Sequence, residues 1–230
     1  MVRLQVAQPL RLFLPLRGRA TGRLDVADDG TGTVGHVVQA GGIPLTEVGA
    51  LLVGGSAVAA GERAGSGVVE VHERDRPQPL EGPPRLLLDV HLGALARRLR
   101  LLGVDTAYAN DADDAALVAR ANLEDRLLLT QDRRLLMRRG LRRAAFVRGA
   151  RPDDQLADVL DRFDLPRSPY TLCTACGGRL REVPKAQVLD RLQPGTRRTQ
   201  EQFRQCEVCE RVYWRGAHAR RLDELVRGSG

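Results

Sequence analysis

The sequence predicts an α/β chain: a parallel sheet with helices on both faces, preceded by a small α+β domain and followed by a cysteine-bearing module. Three observations predict it. Between residues 85 and 165, short apolar strands alternate with amphipathic helical stretches four times. Before residue 76 the chain is rich in Gly and Val and reads as strands around a single helix. After residue 166 it carries all four cysteines, arranged as two C-x-x-C pairs. The expected divisions are residues 1–76, a linker at 77–84, residues 85–165 and residues 166–230.

In the first division VRLQV, LRLFLPL and GRLDVA read as strands, TVGHVVQAG as a helix, and VGALLVGGSAV and GVVEVHE as strands again. That order resembles the ubiquitin-like β-grasp domains, including sulfur carriers. Carriers act through a free C-terminal Gly-Gly, whereas this stretch runs on into RPQPLEGPP, so a docking role toward a protein partner is the expectation. His36 and His72 have no neighbour at metal-ligand spacing and are read as structural. RPQPLEGPP (76–84) holds four prolines and one glycine, which makes it an extended, semi-rigid linker.

In the second division RLLL is a strand buried on both faces, halted by Asp89. HLGALARRLRLLG follows as a helix with Leu92, Leu95, Ala96, Leu99 and Leu102 on one face, ended by Gly103. VDTAY and DDAALVARANL are the next strand and helix, then RLLLT (126–130) and DRRLLMRRG, closed by Gly140. AAFV is the fourth strand, and DDQLADVLDRF, after Pro152, the fourth helix.

The third division opens with LPRSPY. CTAC (173–176) and CEVC (206–209) stand 29 residues apart. Two thiolates two residues apart on a tight turn face one metal, and two such turns complete a tetrahedral shell, so Cys173, Cys176, Cys206 and Cys209 are expected to hold structural Zn²⁺. The long interval calls for a hairpin or helical insert. A disulfide framework is disfavoured because no secretion signal precedes it, and a single redox pair would leave the second C-x-x-C unexplained. Four thiolates leave no open position for water, so this zinc holds a fold. His218 is then structural, and a C-terminal helix closes the division. Tyr213 and Trp214 in VYWRGAH either cover the small core beside the zinc or stack on nucleic-acid bases.

Net charge is +7, almost entirely from arginine, and it is unevenly placed. Residues 1–80 are balanced at 8 basic and 8 acidic, residues 81–165 hold 15 and 14, and residues 166–230 hold 13 and 7. Zn²⁺ on four thiolates contributes −2, leaving the last division basic, which suits a polyanion partner. No apolar run reaches the ~18 residues of a membrane helix, and a soluble, cytoplasmic protein is expected.

Acidic residues follow every strand of the second division: Asp89 after RLLL; Asp111, Asp113 and Asp114 after VDTAY; Asp132 after RLLLT; Asp153 and Asp154 after AAFV. In open parallel sheets sites form outside the carboxyl ends of the strands. Each aspartate alone is also a good helix cap. Crowded carboxylates repel unless a cation lies between them, and Mg²⁺ or Mn²⁺ takes oxygen ligands. Arg97, Arg98 and Arg100 lie on the first helix, and Arg133, Arg134, Arg138, Arg139, Arg142 and Arg143 follow Asp132, a density suited to a phosphate backbone.

The run LLLDVHLGALARRLRLLGVDTAYANDADDAAL, then RLLLTQDRRLL, the two knuckles and VYWRGAH, closely resembles the Mut-seven C-terminal RNase family. The resemblance implies a PIN-like nuclease fold with an appended zinc ribbon, fused here to an N-terminal ubiquitin-like domain. It implies RNA cleavage with Mg²⁺ or Mn²⁺ on Asp89, Asp113 and Asp132, the last in a T-x-D motif. Asp113 stands where PIN-like proteins usually carry glutamate, with Asp114 adjacent; Asp153 and Asp154 are candidates for a fourth carboxylate. Arg97, Arg133, Arg134, Arg138 and Trp214 are the candidate RNA contacts. The alternative is a non-catalytic module that binds tRNA or rRNA through its zinc ribbon.

Overall fold

The computed structural model describes residues 1–80 and 82–214. Glu81 and residues 215–230, with His218 and the expected C-terminal helix, lie outside the described residues. Contacts divide the chain into two units, each built from separate stretches: Met1–Gln78 with Thr130–Phe146, and Pro79–Leu129 with Val147–Gly230.

The first unit begins with β1 (Val2–Val6), α1 (Leu16–Arg19), β2 (Arg23–Val26), α2 (Val34–Ala40), β3 (Val48–Val53), β4 (Ser56–Ala57) and β5 (Gly67–Glu73). The five strands form one sheet in the order β2-β1-β5-β3-β4, with β1 antiparallel to β2 and parallel to β5. Alternation along β1 buries Val2, Leu4 and Val6 and leaves Arg3 outside, paired with Asp25. Helix α2 contributes Val34, Val37 and Val38 to the core, and the Thr33 hydroxyl caps it by accepting from the N–H of His36.

One expectation is corrected here. LRLFLPL is no strand: Gln8–Phe13 is a 3-10 helix that runs on toward α1. Pro9 in its first turn cannot donate to a ladder. Leu10, Phe13 and Leu14 are buried at helical spacing, so one face of a helical turn meets the core where alternate strand residues would not.

In the second unit β6 (Leu86–Leu88) is wholly buried and lies between β7 (Thr106–Tyr108) and β8 (Leu127–Thr130), parallel to both. Strands buried on both faces read as continuous Leu runs for this reason. Helix α3 (Gly93–Leu101) follows β6 and packs its predicted face, Leu95, Ala96 and Leu99, with Leu92 and Leu102 at its ends. Gly103 ends it at φ +78°, where any Cβ would collide with the carbonyl of Ser168. Helix α4 (Asp114–Leu123) follows β7. The next pair, α5 (Arg133–Leu136) and β9 (Ala144–Phe146), belongs to the first unit, where Phe146 meets Phe13 edge-on at 5.2 Å. Helix α6 (Pro152–Arg162) returns to the second unit and packs on α3. All four expected strand–helix pairs form.

The cysteine-bearing stretch forms a three-stranded antiparallel sheet, β10-β11-β12, from Leu180–Val183, Phe203–Cys206 and Val212–Trp214. Between β10 and β11 lie α7 (Lys185–Val188) and α8 (Pro194–Thr199), so the insert between the knuckles is both strand and helix. Val183, Val188, Leu192 and Phe203 make its own small core. Among the described residues no helix is long and apolar enough to cross a membrane.

Candidate metal centre and nuclease site

The two knuckles are near copies of one another. In the first, the N–H of Cys173 donates to Gly178 O and that of Gly177 to Cys173 O, both at 2.8 Å; in the second, Cys206 donates to Arg211 O at 2.9 Å and Glu210 to Cys206 O at 3.1 Å. Each first sulfur accepts from the N–H of the second cysteine, Cys176 or Cys209, at 3.5 Å. Each knuckle is followed by a left-handed residue, Gly177 at φ +82° and Glu210 at φ +59°.

These turns bring the sulfurs of Cys173, Cys176, Cys206 and Cys209 within 4.8 Å of one another, with Cys173 to Cys209 at 3.6 Å and Cys176 to Cys206 at 3.5 Å. A tetrahedral zinc with ~2.3 Å bonds needs sulfurs about 3.8 Å apart. Both donor chemistry and spacing therefore fit a zinc held by all four cysteines.

The thiols differ. Burial works to raise the pKa of Cys173, but hydrogen bonds from the Tyr213 hydroxyl at 3.0 Å and from the N–H groups of Cys176 and Ala175 prevail and bring it to about 6. Desolvation and the other three sulfurs push Cys176 up to about 12. Cys209 is raised as well, by desolvation first.

A residue that sequence reasoning assigned to a phosphate-binding surface ties this centre to α3. Arg100 is 4% exposed and donates from Nε to Thr106 O at 2.9 Å and from Nη1 to Ala175 O at 2.8 Å, inside the first knuckle. Burial lowers its pKa, and Cys176 and Cys173 work against that. Its position four residues after Ala96, on the apolar side of α3, was the available signal.

The aspartates stand where the strand ends predicted, and each is engaged locally. Asp89 is 5% exposed; its Oδ1 accepts from the N–H of Val90 at 2.6 Å and its own N–H continues the ladder to Leu129 O. Asp113 caps α4, accepting from the N–H of Ala116 at 2.8 Å, and Asp114 opens the first turn. Asp132 caps α5 through the N–H of Arg134 at 2.7 Å, while Thr130 Oγ1 accepts from the Asp132 N–H. Asp153 pairs with Arg98 and Asp154 with Arg151. Among the described residues the carboxylates form no trio as close as the four sulfurs.

Of the candidate RNA contacts, Arg97, Arg134 and Arg138 are exposed. Arg133 lies instead over the ring of Phe13, 5.6 Å from its centroid, and burial lowers its pKa. Trp214 is 42% exposed.

Residues 84–226 match the family described as the Mut7-C RNAse domain, and residues 1–73 match Mut7-C ubiquitin. The chain belongs to the Mut7-C RNase family. No curated protein and no solved structure matches it. The Mut7-C match supports a nuclease-type function and spans Asp89, Asp113, Asp132 and all four cysteines. The Mut7-C ubiquitin match covers the five-stranded sheet.

Proposed function

We propose that this chain is a divalent-metal-dependent ribonuclease acting on cytoplasmic RNA, with Asp89, Asp113 and Asp132 as its catalytic carboxylates and Asp114 in reserve beside Asp113. The observation that supports it best is the position of Asp89. The chain runs from β6 to β7 on one side and then to β8 on the other, so β6 is where strand order reverses, the place at which open parallel sheets build sites. A buried carboxylate at that point, in a domain of an RNase family, is best read as a metal ligand.

Carboxylate oxygens suit Mg²⁺ or Mn²⁺, hard ions that keep water and substrate phosphate in their shell. Such an ion, when bound, activates water and stabilises the departing oxygen of a phosphodiester. The chain's own contribution is positioning. The Val90 N–H fixes the rotamer of Asp89, the Ala116 N–H that of Asp113, and exposed Arg97, Arg134 and Arg138 offer charge to the strand's phosphates. The four-cysteine zinc is structural, and the ribbon around it aids RNA binding. The ubiquitin-like part serves a protein partner.

The test is Asp89→Asn in metal-scrubbed buffer with Mn²⁺ or Mg²⁺ restored, on unstructured RNA. An amide oxygen still accepts from Val90, and in a variant that melts as a folded protein cleavage should fall at least 100-fold, the scale of losing a group that acts in the transition state. Cleavage at the parent rate would sink the reading. The second reading, a non-catalytic RNA-binding module, is favoured by the exposed Trp214 on a basic ribbon, and predicts RNA retention without turnover whatever stands at residue 89.

A further inference from the structure

Beside the cysteine centre, apart from the carboxylates, lies a cleft of about 820 Å³. That volume falls inside the range of about 300–1,000 Å³ typical of small-ligand sites. Its walls are largely aromatic and aliphatic: Leu101, Tyr170, Phe203, Tyr213 and Trp214. Strand register explains the arrangement. Phe203 and Trp214 are cross-strand partners on one face of β11 and β12, with ring centroids 6.4 Å apart. Tyr213, next to Trp214 on β12, reaches Cys173 with its hydroxyl. Phe203 is 2% exposed, so it backs the indole, whereas Trp214 keeps 42% of its surface in solvent. The rim is charged but internally paired: Arg204 with Glu182 at 3.0 Å, and Lys185 with Glu201 at 2.6 Å.

An exposed indole backed by a buried ring, in a nucleoside-sized cleft on a net-basic module, has the physical form of a stacking platform. We infer that this cleft receives an unpaired base of a single-stranded RNA, stacked on Trp214, with Arg204 at the rim toward the ribose-phosphate. The inference deepens the ribonuclease reading, because it places a substrate-holding subsite on the ribbon apart from the carboxylates. The charge balance of residues 166–230, 13 basic against 7 acidic, favours a polyanion over an acidic or neutral peptide as the occupant.

Trp214 is the only tryptophan of the chain, so its emission reports the cleft without a label. The zinc-loaded 230-residue chain is titrated with hexaadenylate, without added Mg²⁺ or Mn²⁺, and separately with an abasic six-residue ribose-phosphate. Saturable quenching by hexaadenylate and none by the abasic strand is the expected result. No quenching, or equal quenching by both, overturns the proposal, the latter by showing a purely electrostatic contact. In parallel, anisotropy of labelled hexaadenylate should show Trp214→Ala weakening binding about 5- to 100-fold, the scale of one lost stack, and Trp214→Phe retaining most of it. Unchanged affinity in Trp214→Ala overturns the proposal too. The quenching arm uses the unaltered chain, so it decides the matter even if Trp214→Ala loses zinc. Neither arm requires cleavage, so failure here is distinguishable from failure of the nuclease reading, which rests on Asp89→Asn.

Discussion

Glu47 and Phe146, 99 residues apart in sequence, are joined by a hydrogen bond of 2.8 Å from the N–H of Phe146 to the carboxylate of Glu47, which is 3% exposed. The bond fastens β9 to the short 3-10 turn Leu45–Glu47 that leads into β3, beside the Phe13–Phe146 ring contact. A buried donor stripped of its acceptor costs about 1–3 kcal/mol. Glu47→Ala should therefore destabilise by about 2 kcal/mol in urea melts. Glu47→Gln, which keeps an acceptor oxygen, should lose less than half of that. Equal losses would mean that the side chain's packing, and not its oxygen, matters.

Arg100 should behave as a rivet between α3 and the first knuckle. Arg100→Met keeps the apolar stem but strands the carbonyls of Thr106 and Ala175. A loss of about 2–3 kcal/mol would lower the melting temperature by roughly 4–12 °C for a chain of this size. Zinc should also leave Arg100→Met faster in a chelator competition, because the knuckle loses its anchor. An unchanged off-rate would confine the effect of Arg100 to the helix.

Zinc loading should be proton-coupled. Ligation takes thiolates. At pH 7 Cys173, at about 6, has already lost its proton, while Cys176, at about 12, and Cys209, raised by desolvation, have not. Zinc uptake by the apo protein therefore expels more than one proton, and affinity drops as pH falls. Calorimetry in two buffers of different ionisation enthalpy measures the release directly. Heats that do not depend on the buffer would contradict the assignment. Elemental analysis should give one zinc per chain, and Cys206→Ser should lose it.

The second knuckle carries a local strain that the first avoids. Where the first places Gly177, the second places Glu210 at φ +59°. The left-handed region costs a residue with a Cβ about 1–2 kcal/mol, and the added freedom of an unfolded glycine returns about 0.5–1. Glu210→Gly should thus stabilise the zinc-loaded protein by about 0.5–1 kcal/mol. Arg191 and Gln205 bind only the backbone carbonyl of residue 210, which glycine retains. A lower melting temperature would show that the Glu210 side chain has work of its own.

Most strands and helices were legible because burial writes a period into the chain: two for β1, continuous for β6, and the Leu92–Leu102 stripe for α3. LRLFLPL misled because five apolar residues in seven carry no period, and Pro9, just outside the quoted run, was the clue. The cysteine spacing foretold a centre that the sulfurs then formed. The aspartates follow their strands, and the same positions serve as helix caps; sequence cannot separate two roles that share one geometry. The bond of Glu47 was hidden for a different reason. It accepts from a backbone N–H at residue 146, and main-chain donors leave no mark on residue identity. The cleft beside Trp214 was legible only as two aromatics in VYW; its walls come from distant stretches that register brings together.

The division of contacts has a consequence during synthesis. The surface around Phe13 and Glu47 is complete only with residues 130–146, which leave the ribosome about 70 residues after Gln78. At the usual 5–20 residues per second this is a delay of about 4–14 s. For that interval the nascent ubiquitin-like sheet stands with an apolar ring and a carboxylate uncovered, open to a chaperone.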